Sequence, residues 1–323
     1  ELASSRMQEA EDWLNGGPAP NRNRLPGGSK LDLGGTLAPP SYPVPGEGGL
    51  RSTFSPAGYR EAVRRAIEWI RAGDVYQVNL SQRFEVRSEE DPIELYIRLR
   101  QASPAPFGAY FAADRFSVLS TSPERFLHTS PTGAVQTRPI KGTRPRSDDA
   151  REDRKLALEL QSSVKDRAEN LMIVDLLRND LSRVCRADSV RALDLFRIES
   201  YQTVHHLVST VEGTLREGRG RPDLLRATFP SGSVTGAPKI RAMEIISELE
   251  PVARGPYCGA MGYMGFGGDM DTSVSIRIAV ASEGRVTFHA GGAVVVDSDP
   301  AAEYEETLDK ARALLSAIPG AER

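Results

Sequence analysis

Strand-like runs follow one another in this chain without a helical segment between each pair, and that grouping constrains the fold more than any other feature. Residues 107–113 and 116–121 read as paired strands. Residues 126–141 read as a hairpin turned at Pro131-Thr132-Gly133, and residues 257–296 as glycine-rich strands with turns at Gly267-Gly268 and Glu283-Gly284. Within 75–86, Val75, Gln77 and Asn79 fall opposite Tyr76, Val78 and Leu80, the period of a strand. A parallel pair needs a crossover of a dozen or more residues, so these groups exclude strict βαβ winding. They predict an α+β fold with largely antiparallel sheets.

The helices announce themselves at their ends. Ser55 suits an N-cap, Pro56 the first helical position, and Phe54 with Tyr59 a hydrophobic staple. Tyr59, Val63, Ile67 and Ile70 then share one face, and Gly73 ends it. Further helices are expected from Asp91-Pro92 to Ala102, over 148–184, near 222–228, from Pro238 to Leu249, and from Asp299-Pro300 to before Pro319. Ahead of these, residues 1–50 are set apart. Residues 9–14 read as the end of a helix and residues 16–49 as a Pro/Gly/Asn-rich linker. The expected division is therefore 1–50, a remnant helix and linker, and 51–319, one catalytic domain. The chain opens on Glu1, which suggests that a longer protein has lost its start.

Charge and composition narrow the partners. A net charge of −3 over 323 residues offers no basic patch for nucleic acid. No apolar run is long enough to span a membrane and no signal peptide is present, so the expected location is cytoplasmic. Cys185 and Cys258 lie far apart without metal or redox spacing, in keeping with a reducing compartment. Neither sits in a nucleophile-like glycine turn, so no glutaminase is expected in this chain. Gly232 to Lys239 lacks the order of a phosphate loop, since Pro238 precedes the lysine. Its turn into a helix still offers backbone N–H groups to an anion.

Several side chains are candidates for chemistry. Only six of the 41 basic residues are lysine, yet position 141, in Thr137-Arg138-Pro139-Ile140-Lys141-Gly142-Thr143, is one of them. Lysine, unlike arginine, becomes an amine nucleophile once its pKa falls. Glu169 lies on a helix apolar nearly all round, so it needs a cation or donors; an ion pair and a metal or substrate site are both open. Glu303 and Glu306, three apart, share a helix face that suits one hard cation, although both fall off the apolar stripe and a solvated face with Glu306 paired to Lys310 is the default reading of these residues alone. Glu124 follows a strand and suits a general acid or a turn. His206 sits in an apolar strand as a core histidine would. Arg277, placed mid-strand in 273–280, needs a partner, and a carboxylate ligand is one. Ala290-Gly291-Gly292-Ala293 ends a strand where backbone can approach a ligand closely.

Read together, these segments resemble the chorismate-utilising enzymes. The motifs are Gly73-Asp74-Val75-Tyr76-Gln77-Val78-Asn79-Leu80-Ser81, Ser122-Pro123-Glu124-Arg125, Pro139-Ile140-Lys141-Gly142-Thr143, residues 166–179, His206-Leu207-Val208, Gly236-Ala237-Pro238-Lys239, residues 259–263 and residues 302–307. The match covers about residues 55–315. It implies a single α/β sandwich of two large antiparallel sheets with outer helices and a site in the cleft. The family's N-terminal segment, which can hold a tryptophan site, is missing before Glu1. Ala293 stands where members often carry a third glycine.

The resemblance also implies the chemistry. Where isochorismate-type members have a lysine that activates water, this chain has Gln77, which points to ammonia. Where anthranilate synthases usually carry Ala, it has Lys141, as in the aminodeoxychorismate synthase branch. The implied reaction is amination of chorismate to 4-amino-4-deoxychorismate, for p-aminobenzoate and folate synthesis, with ammonia from a separate glutaminase subunit. Mg²⁺ would be held by Glu169 and Glu306 with Glu303 close by. Tyr263 and Arg277 would take the enolpyruvyl carboxylate, with Ser233 and the Gly291–Gly292 backbone completing the pocket. Glu124 would protonate the departing C4 hydroxyl, Lys141 would attack C2, and His206 would line the ring pocket. An anthranilate synthase, an aminodeoxyisochorismate-forming relative, or an inactive glutaminase-docking module are the other readings.

Overall fold

The computed structural model describes residues 41–318. The helix expected in residues 9–14 and the linker up to residue 40 lie outside the described residues. Residues 41–49 depart from the linker reading. Tyr42–Pro43 (β1) pairs antiparallel with Arg51–Ser52 (β2), and Val44 and Leu50 are buried in the core. Two apolar residues bracketing a Pro/Gly turn are enough to pin this hairpin.

The remaining elements are α1 (Pro56–Ala72), β3 (Gln77–Arg87), α2 (Pro92–Ala102), β4 (Phe107–Ala112), β5 (Ser117–Ser122), β6 (Arg125–Thr129), β7 (Ala134–Arg138), β8 (Ile140–Pro145), α3 (Ala150–Ser162), α4 (Val164–Ser182), β9 (Arg191–Ser200), β10 (Val204–Thr214), α5 (Arg221–Thr228), β11 (Gly236–Ala237), α6 (Lys239–Leu249), β12 (Ala260–Met264), β13 (Met270–Val274), β14 (Ile278–Ser282), β15 (Arg285–Val294) and α7 (Pro300–Leu315). One sheet runs β1-β2-β3-β15-β14-β5-β4, with β11 also on β3. The other runs β12-β13-β6-β7-β10-β8, with β9 also on β10. Every pairing is antiparallel. The α+β fold of two large antiparallel sheets is thus observed.

The start of α1 follows its sequence signals. The Ser55 hydroxyl accepts the Gly58 N–H at 3.1 Å, the Phe54 and Tyr59 rings meet edge to face at 5.6 Å, and Gly73 closes the helix at φ 85°. One core packs Val78, Leu80 and Phe84 of β3 with α1, α6 and α7. The other joins Val118, Ile278 and Val280 of the first sheet to Phe126, Leu127, Val135 and Val211 of the second and to Ile173, Val174 and Leu177 of α4. The alternate face of β3 is not solvated, as simple alternation would suggest. Gln77, Asn79, Ser81, Arg83 and Glu85 are all buried. Arg254 and Glu250 reach part of that polar face: Arg254 donates to the Asn79 carbonyl at 2.6 Å, and Glu250 accepts from Ser81 N–H and Oγ–H at 2.8 and 2.9 Å. No helix among the described residues is long and apolar enough to cross a membrane.

Candidate active site

Lys141 owes its position to a broken strand. Strands β7 and β8 lie along one edge of β10, with Thr137 opposite Val211 and Thr143 opposite His206, and the chain breaks between them at Pro139. The expected hairpin therefore ends at Arg138, and Lys141 is the second residue of the next strand. Gly142 follows at φ 81°, where a Cβ would lie 2.7 Å from Leu160 Cδ1 and 2.8 Å from Asp166 Cγ, so only glycine fits. Lys141 keeps partial contact with solvent while protein surrounds it. Burial pushes its amine below the ordinary value. Glu169, Glu124 and Glu306 pull it back, and Lys310 adds to the fall. The neighbouring arginines do not supply that push, contrary to what their spacing suggests. Arg138 pairs with Glu199, Arg144 with Glu159 and Asp166, and Arg146 with Asp153.

Glu124 stands in the turn between β5 and β6 and is 4 % exposed. Burial raises its carboxyl to about 7. The Ser233 hydroxyl, the Lys141 charge and the Ile140 backbone N–H oppose that rise without cancelling it. Ser233 is buried in the Gly232–Val234 turn, 3.0 Å from the Ser231 hydroxyl. A carboxyl poised near neutrality beside an amine depressed by burial is the pairing that proton transfer and nucleophilic attack require.

The α7 carboxylates converge on Gly292. A Cβ at that residue would sit 2.8 Å from Glu303 Oε2 and 3.3 Å from Glu306 Oε1. Glu303 is buried, not on a solvated face. Its Oε1 accepts from Ser298 Oγ at 2.7 Å, and its buried Oε2 has no hydrogen-bond partner. Glu306 is half exposed and binds Lys310 at 2.6 Å, and Lys310 also donates to the Gly291 carbonyl at 2.7 Å. Burial raises the carboxyls of Glu303 and Glu169, and Glu306 adds to the rise of each. Among the described residues no three His, Cys, Asp or Glu side chains form a ready metal cage. An orphaned carboxylate oxygen over a bare glycine, with further carboxylates in electrostatic reach, fits a cation that keeps part of its water, as Mg²⁺ does.

His206 and Arg277 define another side of the site. His206 shares a 3.0 Å hydrogen bond with Thr143 Oγ1, and burial, then the Arg277 charge, lower its ring to about 4, so it is neutral. Arg277 is not mid-strand. It lies in the break between β13 and β14 at φ 51°. Its guanidinium donates to Ser103 Oγ at 3.3 Å, and burial lowers its pKa. A guanidinium held in a left-handed backbone and, among the described residues, without a carboxylate partner is prepared for an outside anion. Tyr263 lies on β12, the edge strand, and is 59 % exposed. Gln77 is fully buried at the start of β3 with neither carboxamide atom hydrogen-bonded. At Gly291 a Cβ would lie 2.4 Å from the Leu80 carbonyl, so backbone approach is close there.

A family model for the chorismate binding enzymes matches residues 21–316. The chain belongs to this family. It is 50 % identical over 265 residues to aminodeoxychorismate synthase component 1 of Salmonella typhimurium, covering 82 % of this chain and 58 % of that protein. It is 48 % identical over 284 residues to anthranilate synthase component 1 of Thermus thermophilus, covering 86 % and 61 %. Among solved structures, anthranilate synthase component I from Streptococcus pneumoniae superposes with a TM-score of 0.76 at 34 % identity, covering 96 % of this chain and 65 % of that one. The chain thus spans less than two thirds of the length of these relatives.

Two lysines escaped the sequence reading of the site. Lys310 was seen only as a partner of Glu306, and Lys165, which acts electrostatically on Glu169 and Glu303, was not singled out. The scarcity of lysine that drew attention to Lys141 applies to both.

Proposed function

We propose that this chain aminates chorismate with ammonia to give 4-amino-4-deoxychorismate, in the cytoplasm, with ammonia supplied by a separate glutaminase subunit. The observation that carries the reading is Lys141, an amine surrounded by protein and within electrostatic reach of Glu124, a buried carboxyl with a pKa of about 7. Gln77, rather than a basic residue, at the start of β3 supports ammonia over water as the incoming group.

Arg277 would bind one carboxylate of the substrate by its guanidinium, with Tyr263 added if the β12 edge closes over the ligand. The Ser233 hydroxyl and the Gly291–Gly292 backbone would bound the pocket, and neutral His206 would line the ring without adding charge. Glu169 and Glu306, with Glu303 beside them, would hold Mg²⁺, which when bound offsets the charge of the second carboxylate. Lys141, as the free amine, would form a bond to C2 while both ring double bonds shift, C1=C2 to C1=C6 and C5=C6 to C4=C5, and the C4–O bond breaks. Glu124 would give its proton to the departing oxygen, so that water leaves, and would take back the proton shed by the new C2–N ammonium. Ammonia would then bond to C4, both double bonds would shift back, and the C2–N bond would break as Glu124 protonates the departing amine. The C4 ammonium would return a proton to Glu124, restoring the free Lys141 amine and the acid. General acid catalysis of this kind contributes about 10²–10⁴-fold, and the lysine adduct divides one displacement of a poor leaving group into two easier ones.

The test is incubation of the purified chain with chorismate, Mg²⁺ and ammonium at alkaline pH, with products identified by mass and chromatography. Aminodeoxychorismate is expected. Anthranilate would transfer the chain to the other branch, and turnover of glutamine by the chain alone would remove the need for a partner.

A further inference from the structure

Asn170 is a buried polar residue in the apolar part of α4, one position from Glu169, and the reaction proposed above gives it no part. It is 0 % exposed, and its Oδ1 accepts the Ser209 hydroxyl at 2.5 Å. Ser209, also 0 % exposed, occupies a crossing point. Its Oγ accepts the Phe196 N–H at 3.1 Å, and its own N–H reaches the Pro139 carbonyl at 3.2 Å. The register of β10 against β9 shifts around this residue, and that of β10 against β8 shifts just before it, between His206 and Val208. Pro139 is two residues from Lys141. One residue therefore ties α4 and β9 by its side chain, and the segment leading into the Lys141 strand by its backbone, to β10.

Stability gives no sufficient reason for the pair. Replacing both partners of a buried neutral hydrogen bond by apolar groups of the same shape is close to neutral. Direction does give one. Helix α4 buries Ile173, Val174, Leu177 and Leu181 on the face that also carries Asn170, and apolar contact is non-directional. Apolar packing therefore chooses the buried face of the helix but leaves its fine rotation to directional contacts. A turn of 3.6 residues means that fixing Asn170 also fixes Glu169. The Arg167 guanidinium, 4.6 Å over the Phe196 ring, adds a tie to the same strand.

We propose that the Asn170–Ser209 hydrogen bond is the positioning contact that holds the Glu169 carboxylate in register with Lys141. The proposal rests on the roles given to those two residues above. Ser209→Ala and Asn170→Leu remove the contact, Ser209→Thr keeps the hydroxyl, and Val211→Ala in the same strand serves as a control for lost packing alone. Mg²⁺ affinity by calorimetry, the acetic anhydride labelling of Lys141 relative to Lys155 by peptide mass, melting temperature, kcat and KM are measured on each. Loss of the contact is expected to weaken Mg²⁺ binding about 10–100-fold, to change the labelling ratio, and to lower kcat more than it alters KM. The double variant should be no worse than the single ones, because one contact is lost once. Ser209→Thr should restore Mg²⁺ affinity, and Val211→Ala should melt earlier with both readouts unchanged. If Ser209→Ala resembles Val211→Ala, the bond is structural only and the proposal is overturned. If the parent chain binds no Mg²⁺ and forms no aminated product, the functional reading falls, and the labelling ratio alone still decides whether the bond positions Lys141.

Discussion

Glu124→Gln separates the proposed acid from its fold. The Glu124 carboxyl is 4 % exposed, and burial raises it from 4.5 to about 7. A raised acid contributes its stability fully below the unfolded value and loses it as pH climbs through the folded value. The loss therefore starts near pH 4.5 and is complete somewhat above pH 7. At about 1.36 kcal/mol per unit, the shift corresponds to an upper bound of about 3 kcal/mol, the cost of ionising a carboxyl surrounded by protein. Glutamine keeps the shape and never ionises. Urea unfolding of both proteins at steps from pH 4.5 to 8.5 should give stabilities that are close at the acid end. They should diverge with rising pH until the variant is the more stable, by up to about 3 kcal/mol. Subtracting the two curves cancels the other titrating carboxyls. Activity should fall by about 10²–10⁴-fold over the same range, so the variant would be more stable and less active together. Parallel stability curves would refute the argument, because Glu124 would then ionise as readily folded as unfolded.

The other predictions concern the remaining groups of the site. With chorismate and no ammonia, intact mass should rise by chorismate minus water on the Lys141 peptide. Lys141→Ala should lose the label, and wild-type turnover without any label would make Lys141 a positioning residue. EDTA should abolish turnover, and Glu303→Gln and Glu306→Gln should each weaken Mg²⁺ binding by calorimetry, with undiminished affinity counting against these carboxylates. Arg277→Gln should raise KM for chorismate by about 10-fold or more, as expected for a charged hydrogen bond of 1.5–3 kcal/mol, and an unchanged KM would move the anion elsewhere.

What the sequence made legible was local or carried by contiguous motifs. The Ser55 cap, the Gly73 stop and the strand grouping are consequences of spacing, and the structure repeats them. Glu124, Lys141, Glu169, Glu303 and Glu306 sit in motifs of the family, and folding places them in one electrostatic neighbourhood. Long-range pairing was not legible. Nothing in Arg138, Arg144 and Arg146 says that each already has a carboxylate across the chain. The buried polar face of β3 reads as a solvated one until Arg254, more than 150 residues away, is brought against Asn79. The strand break at Arg277 is equally hidden, because Ser273 to Val280 alternates as an unbroken strand would. Val44 and Leu50 were lost among the prolines and glycines around them, although two apolar residues suffice for a short hairpin against an existing core.

The charges of the site form two ends, and their asymmetry constrains how a dianion can bind. At one end Arg277 presents a guanidinium with no carboxylate partner among the described residues, in a backbone conformation that costs a non-glycine residue roughly 1–3 kcal/mol. His206 beside it is neutral and neither competes with nor repels an anion. At the other end Glu306 acts on both Glu169 and Glu303, and Lys310, the cation bonded there, is already committed to Glu306 and the Gly291 carbonyl. A second substrate carboxylate entering this end alone would meet like charge in a partly dehydrated cleft, where Coulomb energies far exceed those in water. A bound divalent cation reverses that sign. The Arg277 end should therefore hold a carboxylate with or without metal, while binding of the complete dianion should strengthen steeply with Mg²⁺. Mg²⁺ affinity should in turn strengthen by the same factor when the dianion is present, since coupling between two ligands is reciprocal.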